Sequence, residues 1–258
     1  MIRSLGSDFP DGVALVVGGS GGTGQVISER LAAAGANVAI TYRNNRDGAS
    51  EAANDAATHG GKVELVQLDV TDPASIQKAV AELVAKFGRL HTVIVATGYD
   101  IQMRMIHEVT PDEWRKVVDN DVNGFFNIVH ATLPELRKSG GSYVHIGSAG
   151  VGKWPERDVL SVAPKGAIQQ LMKGIAREEG GNGVRANTIA IGVIDAGIFH
   201  RLKDTAFDAA WHEQVQATIA LHRYGLPEEV AETAVFLASA RAGYVTGQTI
   251  SCDGGWNL

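Results

Sequence analysis

The sequence predicts an α/β protein built on a parallel sheet. Three observations carry that expectation. Short β-branched runs alternate with alanine-rich helical stretches along all 258 residues, which is the pattern of repeated βαβ units. The runs are almost continuously apolar, as in Val13-Ala14-Leu15-Val16-Val17, and so suit strands covered on both faces. The first run leads directly into Gly18-Gly19-Ser20-Gly21-Gly22-Thr23-Gly24, a turn that opens a helix.

Strands are expected over 13–17, 37–42, 62–68, 90–96, 141–147, 183–190 and 248–251, with helices in the intervals. Several helices announce their starts. Asp72-Pro73 and Thr110-Pro111 place an N-cap before proline at the first helical position, and Thr110 with Glu113 forms a capping box. Leu226-Pro227-Glu228-Glu229 opens the last helix in the same way. The less regular stretch 193–222 follows the sixth strand, where a substrate lid would lie over the carboxyl ends of the sheet. No low-complexity segment or long linker divides the chain, so residues 1–258 are expected to form one domain.

Composition narrows the function. The chain has 45% hydrophobic and 20% charged residues, enough apolar material for a large core. A net charge of −6 argues against nucleic acid or an anionic membrane as partner. No segment is long and apolar enough to span a bilayer, and a single cysteine, Cys252, fits a reducing cytoplasm. No cluster suggests a metal site.

The glycine-rich turn permits a tight bend and close approach of backbone to a pyrophosphate seated on the helix N-terminus. Gly18, Gly22 and Gly24 are spaced G-x-x-x-G-x-G. After the second strand comes Thr41-Tyr42-Arg43-Asn44-Asn45-Arg46. No carboxylate stands at 42 or 43 to meet ribose hydroxyls, whereas Arg43 and Arg46 suit a 2′-phosphate, so NADP(H) is favoured; the plainer alternative is two solvated arginines. At the end of the third strand the Asp69 side chain and the Val70 backbone can contact an adenine, and Asp69 can equally cap the next turn.

These motifs, with the C-terminal stretches 223–239 (R-Y-G-L-P-E-E-V-A-E-T-A-V-F-L-A-S) and 244–256 (Y-V-T-G-Q-T-I-S-C-D-G-G-W), make the chain resemble the short-chain dehydrogenase/reductase family over essentially its whole length. The resemblance is to the single-domain branch that includes ketoacyl-carrier-protein reductases. It implies a doubly wound, Rossmann-type three-layer sandwich with a seven-stranded parallel sheet, a nicotinamide cofactor, and hydride exchange with a carbonyl or alcohol. It further implies cofactor contacts from Gly18, Ser20, Gly22, Thr23 and Gly24 in the loop, from Tyr42, Arg43 and Asn44, from Asp69 and Val70, and from Ala96, Gly98, Lys165 and Ile194. A homotetramer is implied as well, through the helices beginning near 111 and 159. Phe125, Phe126, Val129, Leu133 and Leu136 give the first of these more apolar positions than one face requires.

The family's catalytic set is Asn, Ser, Tyr and Lys. Its serine and lysine match Ser148 and Lys165. The tyrosine position, thirteen residues after Ser148 and four before Lys165, is Ser161. The asparagine position, set by Gly124 and Phe126, is Asp121; Asn120 and Asn123 flank it, and a regular helix would aim them elsewhere. The nicotinamide end departs further, with Val95-Ala96-Thr97-Gly98 after the fourth strand, Ile191-Gly192 after the sixth, and Ala196 in place of a threonine.

A serine hydroxyl is a poor general acid beside a phenol. Three readings follow. A reductase can use a water relay held by Ser161, Lys165 and Asp121. It can recruit Tyr99, Arg157 or His145, the last of which also reads as a buried core histidine. Or the protein is a nucleotide-binding sensor, scaffold or subunit, or a non-redox enzyme on the same fold. Phe199, Phe207, Trp211 and Trp154 either line an aromatic substrate pocket or serve ordinary packing.

Overall fold

A computed structural model describes residues 8–138, 140–197, 199–200 and 209–258. Seven strands form one sheet: β1 Val13–Val17, β2 Val38–Tyr42, β3 Val63–Gln67, β4 Leu90–Val95, β5 Gly141–Ser148, β6 Val184–Ile191 and β7 Thr249–Cys252. Their order is β3-β2-β1-β4-β5-β6-β7, and every pairing is parallel. The expected strands are all present, with ends shifted by about one residue.

The apolar character of β1 is explained by its two covered faces. Val13, Leu15 and Val17 enter one core cluster with α3 (Pro73–Phe87), α5 (Gly124–Arg137) and α7 (Val159–Glu179). Ala14 and Val16 enter the opposite cluster with α1 (Gly22–Ala33), α2 (Arg46–Ala57) and α9 (Pro227–Ala238). Alternate side chains of one strand thus point into different layers, and the result is a doubly wound three-layer sandwich. The remaining helices are α4 (Pro111–Val118), the four-residue α6 (Gly150–Lys153) and α8 (Ala209–Thr218).

The predicted caps form. Asp72 accepts from Ala74 N at 3.0 Å, and Thr110 Oγ1 accepts from Glu113 N at 3.2 Å while Glu113 accepts from Thr110 N at 3.0 Å. Asn45, not singled out from the sequence, caps α2 by accepting from Gly48 N at 3.1 Å.

Between α4 and α5 the helix opens into a π segment, Asp119–Asn123. The wider turn alters which residues face inward. Asn120 and Asp121 are both buried, while Asn123 is exposed and bonds Asp119. The expectation that Asn120 would be aimed away is therefore corrected, because the π turn departs from the regular helical period on which that expectation rests. The apolar surplus expected on α5 is smaller than the sequence suggests, because Phe125, Val129 and Leu136 are buried within the chain and Phe126 is left exposed. Phe207 and much of the expected lid lie outside the described residues.

Candidate active site

The sheet order reverses between β1 and β4, so the segments leaving those strands diverge and open a crevice at their carboxyl ends. A cleft of about 1150 Å³ occupies this position.

Its first end is made mainly of backbone. Gly18 has φ +83°, and a Cβ there would meet the Ala96 carbonyl oxygen at 2.9 Å. Its N–H donates to Thr41 Oγ1 at 3.1 Å, tying the loop to β2. Gly21 precedes α1 and offers no side-chain cap. The Gly24 N–H donates to the Gly21 carbonyl at 3.1 Å, while Gly22 and Thr23 line the cleft at the positive end of the helix dipole. Ser20, Gly22, Thr23, Tyr42, Arg43, Val70, Ala96, Gly98 and Ile194 all contribute to the wall.

Three expected cofactor contacts stand outside it. Gly24 is buried beneath the loop, where a Cβ would come within 2.2 Å of the Gly18 carbonyl oxygen; its function is close packing. Asn44 is exposed and faces a neighbouring groove together with Asp69. The Asp69 carboxylate accepts from the Thr71 N–H at 2.9 Å and from the Thr71 hydroxyl at 2.7 Å. These bonds lower its pKa, with a smaller contribution from Arg43; both use one carboxylate oxygen, with which Asp69 caps the turn. Arg46 begins α2 and does not reach the cleft wall, whereas Arg43 lies on the rim with one guanidinium N–H 3.4 Å from Asn120 Oδ1.

The other end is made of side chains. Ser148 closes β5, its hydroxyl oxygen accepting from Gly150 N at 3.0 Å. Lys165 and Ser161 lie one turn apart on α7, and both line the cleft with Ser148. Between them Pro164 lacks the N–H that would bond the Leu160 carbonyl, so one rung of α7 is missing. Asp121 stands behind the wall, 4.0 Å from Lys165 Nζ, with 5% of its side chain exposed. It also accepts from Tyr99 N at 2.9 Å and from Asn120 Nδ2 at 3.1 Å.

Of the alternative donors named from the sequence, two line the cleft and one does not. His145 is buried in β5 against Phe125, and burial holds its pKa down to about 3, with a smaller effect from Lys165. It does not reach the cleft. Tyr99 lines the cleft while packing on the small cluster of Val117, Val159 and Leu160. Arg157 lines it too, with φ +68°.

Phe199 and Trp211 form part of the far wall, whereas Trp154 is exposed and outside it. Sequence reasoning missed Val215, Trp256 and Asp158. Trp256 reaches the wall from the C-terminal segment, at the end of the stretch 244–256 that carries the family resemblance. Asp158 precedes a helix, and from sequence it reads as no more than a cap.

Residues 18–257 match a family model described as enoyl-(acyl carrier protein) reductase. The chain is 31% identical over 246 residues to the 3-oxoacyl-(acyl-carrier-protein) reductase FabG of Staphylococcus aureus, covering 94% of this chain and 96% of that protein. It is also 31% identical over 253 residues to glucose 1-dehydrogenase 2 of Bacillus subtilis, covering 97% and 96%. Its fold matches a short-chain type dehydrogenase/reductase from Mycobacterium ulcerans with TM-score 0.91 and 32% identity, over 97% of this chain and 91% of that one. A short-chain dehydrogenase/reductase from Serratia marcescens matches with TM-score 0.87 and 31% identity, over 96% and 98%. Sheet order, crevice, loop and kinship over nearly the full length agree, and the chain belongs to the short-chain dehydrogenase/reductase family of oxidoreductases.

Proposed function

We propose that the protein is an NADP(H)-dependent oxidoreductase acting on a carbonyl/alcohol pair, with Ser161 standing where the family has its tyrosine. The observation that carries this reading is the convergence, in one cleft, of an uncapped helix N-terminus and Arg43 at one end with Ser148, Ser161 and Lys165 at the other. The groups present fit a dinucleotide. The bare glycine loop and the first turn of α1 can receive a pyrophosphate, Arg43 can meet a 2′-phosphate bidentately, and the Lys165 ammonium can bond ribose hydroxyls.

When bound, the dihydronicotinamide supplies a hydride. The protein's share is to bind and orient. The Ser148 and Ser161 hydroxyls can hydrogen-bond the carbonyl oxygen, and the charge of Lys165 favours negative charge developing there. Among the relatives, 3-oxoacyl-(acyl-carrier-protein) and acetoacetyl-CoA reductases bear names that imply acyl substrates. The wall of Phe199, Trp211, Val215 and Trp256 supports an acyl or aromatic carbonyl over a polyhydroxylated sugar. Exposed Phe126, with Trp114 on α4, supports assembly as a homotetramer through these helices; light scattering should give a tetrameric mass at micromolar concentration, and a monomer would contradict it. A free Cys252 accords with action in the cytoplasm.

The cofactor assignment is tested by calorimetric titration with NADPH and NADH. Tighter NADPH binding is expected, and equal affinity or a preference for NADH would overturn it.

A further inference from the structure

Asp158 sits at the N-cap of α7 and caps nothing. Aspartate is favoured at that position because its carboxylate accepts a first-turn N–H, yet no side-chain cap bond forms here. The main-chain carbonyl of Asp158 does that work instead, accepting from Ser161 N at 3.0 Å and Val162 N at 2.9 Å. The approach to it is fixed. Arg157 turns the chain in a left-handed conformation, φ +68°, and its carbonyl accepts from Arg104 N at 2.8 Å, beside a parallel bridge between Arg104 and Asp158. The carboxyl is thereby released from capping and joins the cleft wall with Ser161 and Lys165. Ser161 lies three residues on, on the same helical face, close enough for its hydroxyl to lower the Asp158 carboxyl pKa.

We propose that Asp158 is the general acid of this site, protonating the carbonyl oxygen during reduction and recovering that proton during alcohol oxidation. The proposal rests on the reductase reading above. As the carbonyl carbon gains hydride, its π pair moves to oxygen, which takes the proton from the Asp158 O–H. The products are the alcohol and a carboxylate, which the Lys165 ammonium stabilises and water reprotonates.

Four other described groups suit the task less well. Asp121 already accepts from the Tyr99 N–H and the Asn120 amide, and faces the Lys165 ammonium. His145 is buried outside the cleft, Arg157 is a guanidinium, which does not surrender its proton in proteins, and Ser161 is an alcohol. Asp158 differs because burial pushes its carboxyl up to about 6, outweighing the downward pull of Lys165 and the Ser161 hydrogen bond. A carboxyl poised there can exchange protons near neutral pH. The charged and titratable groups around it are Lys165 on α7, Asp121 on the π segment, Tyr99, Asp100 and Arg104 on the segment after β4, and Glu156 and Arg157 on its own loop. The sign follows: the acid form exists below about pH 6, so reduction should slow as pH rises through that value and oxidation should quicken.

The test combines a readout on the apoprotein with one on turnover. Carboxyl-region infrared difference titration, wild type minus Asp158→Asn, should show a group with midpoint near 6; a midpoint at the ordinary aspartate value of about 4 would overturn the proposal. With acetoacetyl-CoA, an aliphatic ketone and an aromatic aldehyde as probes, Asp158→Asn should lower kcat for reduction by about 10²-fold or more, remove the pH break, and leave NADPH affinity by calorimetry unchanged. Asp158→Glu should retain part of the rate. If Asp158→Asn does not fold, Asp158→Ser serves in the kinetic arm, and a pH break near 6 that persists in it would overturn the proposal. A wild type inert toward every probe would overturn the reductase reading and this inference together. Turnover that survives Asp158→Asn with its pH profile intact would overturn this inference alone.

Discussion

The two ends of the cleft are built from different materials. The phosphate-loop end is shaped by backbone: a glycine with φ +83°, another with no room for a Cβ, and a helix start without a cap. The opposite end is shaped by side chains on β5, α7 and the π segment, namely Ser148, Ser161, Lys165, Asp121 and Asp158. Backbone geometry admits few substitutions, whereas a set of polar side chains can exchange partners while the fold persists. The first end carries the glycine-rich loop that the family resemblance implies, and in the proposed reading the second carries Ser161 where that resemblance implies a tyrosine.

Breaking the side-chain end should have the largest effect. Lys165→Ala is expected to lower the rate of carbonyl reduction by about 10²-fold or more, in the range of a positioned catalytic group, and to lower Tm because the buried Asp121 loses its ammonium partner. Steady-state kinetics and thermal unfolding check the two parts. Breaking the backbone end should act through the fold: Gly24→Ala forces a methyl toward the Gly18 carbonyl, at 2.2 Å in the present geometry, and should destabilise the protein by about 1–3 kcal/mol. Denaturant unfolding reads that loss, and calorimetry should show weaker NADPH binding as the loop shifts. Arg43→Ala should weaken NADPH by about tenfold, the ~1.5 kcal/mol of a hydrogen bond to a charged group, and leave NADH nearly unchanged.

Ser161→Tyr sharpens the comparison, with its effect concentrated at alkaline pH. A phenol, ordinarily titrating near 10, would stand beside Lys165 and replace the Asp158 carboxyl as donor. The alkaline fall of reductase activity should then move well above the Asp158 value of about 6, which a pH–rate profile would show.

The same contrast in material explains what the sequence makes legible. Strands with two covered faces read as continuous apolar runs, and proline-led caps mark α3, α4 and α9, so their positions follow from local chemistry. Gly18 and Gly22 are legible because few residues other than glycine suit their conformations. Asn120 is not, because a π turn breaks the 3.6-residue period from which a facing direction is inferred. Asp158 is hidden because an acid before a helix is the ordinary signature of a cap, and only the three-dimensional arrangement reveals that its carboxyl is used elsewhere. Asp69 shows that a cap can also be read from sequence, since its Oδ1 accepts from the Thr71 N–H and hydroxyl.

The most direct measurement is the consumption of NADPH, followed by loss of dihydronicotinamide absorbance, when the protein is mixed with a broad panel of carbonyl compounds. Carbonyl-dependent oxidation by the wild-type protein, abolished in Lys165→Ala, is the expected result. Tight binding of NADPH with no consumption across the panel would contradict it and leave a nucleotide-binding protein without redox chemistry.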